Sequence, residues 1–318
     1  MEKMDELKIF PKDSCRIQNR EIRFEVTNMC NAKCVMCPRE KMSRPQGILD
    51  MGLYTRALDE AYDMGARMVS LENFGETFMD PLFFERAAYA KGKGMEVYTI
   101  TNGSLFNKKM ANLSIYFLDK VRFSVYGATK EVYESIHKGL NFDIVISNIE
   151  YLIKEKERLN SKSPRIEVYF LLMENNKGQV EDFKRRWLGL VDDIAIWKPH
   201  NWSDGRKYRL AGKDQKKISC GRPVRGPIQI QWDGLVVPCC FDYNSEIVLG
   251  DIHKQSLREI ITGRAYNEFR NAHAEGNFSS YPFCDSCDQL TKSEDVLIFS
   301  TNKGAKVGAV NTTFDKVS

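Results

Sequence analysis

A chain of 318 residues is long enough for one domain of ordinary barrel size plus an appendage, and too long for a single small module. Its 47 lysine and arginine residues against 43 acidic ones leave a net charge of only +4. No basic block interleaved with aromatics tracks a phosphate backbone, which argues against nucleic acid as a partner.

Met1 to Lys12 lacks the basic start and apolar core of a secretory signal. No run approaches the roughly 18 to 20 apolar residues of a membrane span, so the expected compartment is the cytoplasm. In that reducing setting, nine cysteines point to metal or redox chemistry rather than a disulfide framework.

In chain order, residues 1–20 read as an N-terminal extension, and residues 21–200 alternate short apolar runs with longer amphipathic segments. Strands are expected at Ile22 to Thr27, Met68 to Glu72, Met95 to Thr99, Lys120 to Val125, Arg165 to Met173 and Asp193 to Lys198. Helices are expected at Tyr54 to Met64, Pro81 to Lys93, Lys108 to Tyr116, Asp143 to Leu159 and Val180 to Leu190. The order implies parallel strands joined by helical crossovers. Six units are fewer than the eight of a closed barrel, so the expected fold is α/β, a partial (β/α)6 barrel with its active site at the C-terminal ends of the strands.

Residues 201–219 read as a linker, and residues 220–300 as a small second domain. Within the latter, Ile228 to Trp232 and Leu235 to Val237 flank Asp233-Gly234, a strong hairpin signal. Helices follow at Ser256 to Thr262 and Ala265 to Glu275. Residues 301–318 form a tail with little to bury and are expected to be mobile.

Cys30, Cys34 and Cys37 stand as C-x3-C-x2-C directly after the first expected strand. Three thiolates can hold three irons of a cubane and leave the fourth open. A zinc site would want a fourth ligand nearby, and the next histidine is His137. The spacing and its position after the first strand resemble the radical S-adenosylmethionine (SAM) superfamily. That resemblance implies SAM and a 4Fe-4S cluster as cofactors. It also implies an electron donor such as flavodoxin or ferredoxin, and cleavage of SAM to a 5'-deoxyadenosyl radical that abstracts hydrogen from substrate.

The same resemblance implies roles for several further residues. Asn73-Phe74-Gly75-Glu76 looks like the family's Gly-Gly-Glu motif with Phe74 in place of the first glycine, so Gly75 and Glu76 would meet the SAM amino group. Met36 would pack beside adenine, and Asn102 of Thr101-Asn102-Gly103 would join the SAM site. Ser124 would meet the SAM carboxylate or ribose, with His137 or Lys138 supplying the companion cation.

Cys220, Cys239, Cys284 and Cys287 make a closed set of four thiolates, suited to a second 4Fe-4S cluster or to structural zinc. Their surroundings, Gly234-x4-Cys239 and Leu249-Gly250-Asp251-Ile252 before the final Cys-x2-Cys, resemble the SPASM and shorter twitch appendages of radical SAM enzymes. Four cysteines match the single-cluster twitch version, of the 2-deoxy-scyllo-inosamine dehydrogenase type. Cys240 reads as a small buried hydrophobe facing away from its neighbour, and Cys15 as incidental.

A second cluster can collect the second electron of an oxidation, so the resemblance implies an oxidoreductase acting on a small polar substrate such as a sugar, cyclitol or aminocyclitol. His200 and Arg206, leaving the last strand, are candidates to accept a proton or orient that substrate. The competing readings are a peptide-modifying SPASM enzyme, a radical SAM epimerase, and a non-catalytic electron relay or zinc-binding interaction protein.

Overall fold

The computed structural model describes residues 19–206, 217–290 and 296–302. Cys15, residues 207–216 of the expected linker and the tail beyond Asn302 lie outside the described residues.

All six expected strands form, and they pair in parallel in sequence order: β1 (Glu21–Phe24), β2 (Met68–Leu71), β3 (Glu96–Thr101), β4 (Lys120–Ser124), β5 (Arg165–Leu171) and β6 (Asp193–Trp197). The first strand ends three residues early, because beyond Phe24 the chain leaves the ladder and Thr27 pairs instead with Ile48.

Helices cover the outer face: α1 (Met51–Asp63), α2 (Phe83–Gly92), α3 (Lys108–Phe117), α4 (Lys130–Ile136), α5 (Phe142–Arg158) and α6 (Val180–Trp187). The short α4 has no counterpart among the expected helices. Side chains at the helix starts satisfy otherwise orphaned amides: Asp50 accepts from Leu53, Asn107 from Met110 and Asn141 from Ile144.

Alternation along the strands divides the molecule. One row, including Ile22, Val69, Val97, Val121, Ile166 and Ile194, is buried under the helices. The opposite row carries Glu21, Arg23, Glu72, Tyr98, Arg122, Glu167 and Asp193, and lines an interior cavity of about 700 Å³. A parallel sheet covered on both faces would read apolar throughout; here the inner face is polar because it encloses a lumen.

The C-terminal region continues the same sheet. After α7 (Arg222–Arg225), the expected hairpin forms from β7 (Ile228–Ile230) and β8 (Leu235–Val237), with Gly234 at φ +83° in the turn. Strand β7 lies parallel to β1, and β9 (Gly250–Asp251) extends β8. Helices α8 (Leu257–Thr262), α9 (Arg264–Glu275) and α10 (Pro282–Asp285) follow, with a capping box between Ser256 and Glu259 at the start of α8.

An unanticipated strand, β10 (Leu297–Ser300), returns to the far side of the barrel and pairs antiparallel with β6. The ten strands therefore run β9-β8-β7-β1-β2-β3-β4-β5-β6-β10. Among the described residues, no helix is long and apolar enough to cross a membrane.

Candidate active site

The first cysteine set occupies the loop leaving β1. Within it, Cys37 donates its amide to the Cys34 carbonyl at 3.1 Å, and the Ala32 amide points at Cys30 Sγ at 3.5 Å. Burial pushes all three thiols above the ordinary cysteine range, Cys37 to about 11; neighbouring thiolates add to the effect at Cys34 and Cys37, and the Glu76 charge adds to it at Cys30. Three apolar-walled thiols beside one another call for a cationic centre to hold them as thiolates.

Gly75 presses its backbone onto this loop. An added Cβ would stand 2.2 Å from the Thr27 carbonyl oxygen and 2.7 Å from that of Met29, while the Glu76 amide donates to the Met29 carbonyl at 2.8 Å. Only glycine permits that approach. The Glu76 carboxyl is almost fully buried; it accepts from the Thr101 hydroxyl at 2.6 Å and from the Asn102 amide at 2.8 Å, and burial raises its pKa to about 6. Asn102 in turn donates to Asn31 at 3.0 Å and reaches Cys30. Gly75, Glu76 and Asn102 thus join the ends of β2 and β3 to the cysteine loop. Ser124, at the end of β4, hydrogen-bonds with the Tyr126 phenol.

Met36 is buried, and its carbonyl accepts from Trp202 Nε1 at 2.8 Å and from Arg206 at 2.7 Å. Arg206 also donates to the Cys37 carbonyl at 3.3 Å and pairs with Asp204 at 3.0 Å. Through these bonds Arg206, the expected proton acceptor or orienting group, braces the cysteine loop. His200 is likewise held in an aromatic stack, 3.6 Å from the Phe241 ring centroid and 3.9 Å from that of Trp202, with its Nδ1 accepting from the Trp202 amide. Phe74, standing where the motif has glycine, packs on Trp202 and Tyr243 and so joins the loop after β2 to the C-terminal region.

His137, the expected companion cation, lies beside the cysteine loop. It is 1% exposed and sits behind Cys34, paired with it across a two-residue antiparallel bridge. Burial lowers its pKa to about 3. Lys138 is exposed and lies opposite Lys33 on the same bridge.

The second set gathers around Arg222. The guanidinium interacts with Cys220, Cys239, Cys240 and Cys287, and stacks over Phe241 at 4.6 Å. Burial raises the Cys239, Cys284 and Cys287 thiols, the last to about 11. His273 is buried beside Arg222, with Nδ1 3.2 Å from Ser219 Oγ. The described cysteines are all free. Among the described residues, no three histidine, cysteine or carboxylate groups converge on a point that would hold a single metal ion.

The lumen lies inside the barrel and is not lined by Cys30, Cys34 or Cys37. Its wall carries Arg23, paired with Glu72 and Glu21 at 2.7 Å, and Arg122, paired with Glu167 at 2.8 Å. Tyr98 Oη, Trp197 Nε1 and both ends of the Gln229 amide are buried there without a hydrogen-bond partner. Cys239, Cys240 and Arg222 belong to the same wall. Cys240 is therefore not a buried filler: it is partly exposed and interacts with Arg23. The residues of the lumen were missed in the sequence, although their alternation within β1, β4 and β5 was legible there.

Residues 24–163 match the radical SAM superfamily and residues 220–288 match SPASM, an iron-sulfur cluster-binding domain. The chain belongs to the radical SAM superfamily and carries a SPASM region. It is a radical SAM enzyme whose cofactors are SAM, a 4Fe-4S cluster and an auxiliary iron-sulfur cluster, and it needs a reductant.

It is 24% identical to the tungsten-containing aldehyde ferredoxin oxidoreductase cofactor-modifying protein of Pyrococcus furiosus, covering 83% of this chain and 86% of that protein. It is 22% identical to the S-adenosyl-L-methionine-dependent 2-deoxy-scyllo-inosamine dehydrogenase of Niallia circulans, covering 85% and 93%. Streptococcus suis SuiB bound to its precursor peptide SuiA superposes with a TM-score of 0.65 at 12% identity, over 85% of this chain and 69% of that one, a likeness of fold.

Proposed function

We propose that this radical SAM enzyme is a cytoplasmic dehydrogenase of a small polyhydroxylated substrate, a sugar, cyclitol or aminocyclitol, bound in the lumen. Cys30, Cys34 and Cys37 would hold the SAM-binding cluster, and Cys220, Cys239, Cys284 and Cys287 a 4Fe-4S auxiliary cluster. When bound, SAM and its cluster supply a 5'-deoxyadenosyl radical that takes a hydrogen atom from substrate carbon.

The observation that carries the reading is that one cavity of about 700 Å³ is walled both by neutral hydrogen-bonding groups without partners and by Cys239 of the second set. Of the wall's cations, Arg23 and Arg122 are engaged by Glu21, Glu72 and Glu167, and Arg20, Arg67, Lys120 and Arg222 line it as well. The wall also carries the Tyr98 hydroxyl, the Trp197 indole N–H and the Gln229 amide, groups that suit hydroxyls. An auxiliary cluster at that wall would stand beside the substrate, where the second electron of an oxidation must leave. Glu72, raised by burial with Arg23 opposing, is the carboxylate positioned to take the accompanying proton. Gly75, Glu76, Asn102, Met36 and Ser124 would line the SAM site above the lumen.

The donor we propose is an acidic flavodoxin or ferredoxin. Lys33 and Lys138 stand opposite each other beside the cysteine loop, a like-charged pair that an acidic surface would relieve.

A second reading is epimerisation, favoured by Cys240, whose thiol faces the lumen and could return a hydrogen atom. One experiment separates the two. Anaerobically reconstituted enzyme is incubated in D2O with SAM, dithionite and a panel of cyclitols and sugars. A product two hydrogens lighter, without deuterium, supports oxidation; an isomer carrying one solvent deuterium overturns it in favour of epimerisation. In the Cys30→Ala/Cys34→Ala/Cys37→Ala variant, iron should fall from about eight to about four per chain and 5'-deoxyadenosine should vanish.

A further inference from the structure

Cys34 and His137 are 103 residues apart in sequence and face each other across the two-residue bridge, with Nδ1 3.2 Å from Cys34 Sγ. The other ring nitrogen settles the proton's position. The Tyr126 backbone amide points at Nε2 at 3.3 Å. An amide can only donate, so Nε2 is the acceptor and the imidazole proton sits on Nδ1, directed at sulfur.

The ring has little freedom to turn. It lies between Tyr126 and Tyr133, with centroids at 4.7 and 4.6 Å. Tyr133 is fully buried, and its backbone comes so near Gly127 that a Cβ there would stand 2.6 Å from the Tyr133 nitrogen. The Val35 amide donates to the Ile136 carbonyl at 3.0 Å, which fixes the cysteine loop against the segment that carries the imidazole. These contacts aim a neutral N–H at one thiolate ligand and hold it there.

We propose that His137 is a positioning residue that tunes the cluster held by Cys30, Cys34 and Cys37; this rests on the cysteine assignment proposed above. Its N–H withdraws electron density from the Cys34 sulfur, favours the more negative reduced state and so eases electron entry. The sequence would have given this histidine to SAM; the fold gives it to sulfur.

The test is a redox titration of the reconstituted holoenzyme, followed by the EPR signal of the cluster that disappears in the Cys30→Ala/Cys34→Ala/Cys37→Ala variant. At a fixed applied potential, His137→Phe should lower that cluster's reduced-to-oxidised ratio by about fivefold, the weight of one hydrogen bond. His137→Gln, which keeps an N–H within reach, should recover part of the loss, and the auxiliary signal should not move. An unchanged ratio in a His137→Phe protein with full iron overturns the proposal. Should His137→Phe fail to assemble, pulsed EPR on wild type labelled with 15N-histidine decides: a histidine nitrogen coupled to the reduced cluster supports it, and no coupling overturns it. If the signal survives loss of the three cysteines, it is the assignment that fails.

Discussion

Arg44 meets Glu25 through two hydrogen bonds of 2.9 Å, at a point where the carboxylate is fully buried. The same arginine donates to the Tyr243 carbonyl at 2.7 Å, so one side chain ties the residue following β1, the loop after the cysteines and the C-terminal region together. Arg44→Met would strand the Glu25 charge and should cost about 3 to 5 kcal/mol, read as a lowered thermal unfolding midpoint. Adding Glu25→Gln should restore much of the loss, because the stranded charge is then gone.

Gly75→Ala should abolish iron retention at the first cysteine set while leaving the auxiliary iron. The added methyl would meet backbone at Thr27 and Met29, which cannot swing aside as a side chain could. Iron per chain after anaerobic reconstitution checks this, with about half of the wild-type content as the expected outcome.

Glu72→Gln should reduce product formation by about 100-fold or more while 5'-deoxyadenosine release continues, if the carboxylate takes the substrate proton. Because burial raises its pKa, the wild-type rate should climb with pH through a value above the ordinary glutamate range. A pH profile of product formation for wild type, beside 5'-deoxyadenosine formation in the variant, checks both statements.

Asp242 accepts from the Glu246 and Ile247 amides at 2.8 and 2.9 Å, yet burial lifts its pKa from 3.8 to about 6. A raised carboxyl binds its proton more tightly in the folded state. Its stabilising contribution is therefore fully present below about pH 4 and is lost as pH rises through about 6. The stability of wild type relative to Asp242→Asn should fall by on the order of 2 kcal/mol between pH 4 and pH 7.5. Unfolding of the two proteins compared at several pH values tests the sign.

Lys33→Glu/Lys138→Glu should slow turnover driven by flavodoxin or ferredoxin, with the deficit shrinking as salt is raised. Dithionite-driven turnover should be unchanged, since a small reductant needs no docking surface. Equal losses with both reductants would place the lysines in some other role.

The strands were legible because their outer row must be apolar to pack under helices, and Val69, Val97, Val121 and Ile166 declare it. The first cysteine spacing was legible because its three thiols follow one another along one loop. The lumen was harder to read, though Glu21-Ile22-Arg23-Phe24-Glu25 alternates in plain view. Such alternation also describes an antiparallel sheet with one wet face, and only the curled parallel sheet turns those charges inward. The pairing of His137 with Cys34 was not legible for a related reason: distance along the chain says nothing about which face of a loop a side chain will meet. Leu297–Ser300 gave no strand signal separate from its surroundings, because its partner β6 lies about a hundred residues earlier and only the assembled sheet offers it an edge.

The pairing of β7 with β1 and of β10 with β6 also bears on how the chain is made. Both outer strands of the six-stranded core receive their last neighbours from segments synthesised after it, one near residue 229 and one near residue 299. Until those arrive, each outer strand presents unpaired backbone, the kind of edge that recruits other chains. Contacts spanning so much sequence slow folding and prolong that exposure. A ribosome-bound or truncated form ending before Ile228 is thus the form most prone to aggregate, and the C-terminal region serves the core as a late-arriving protector of its edges.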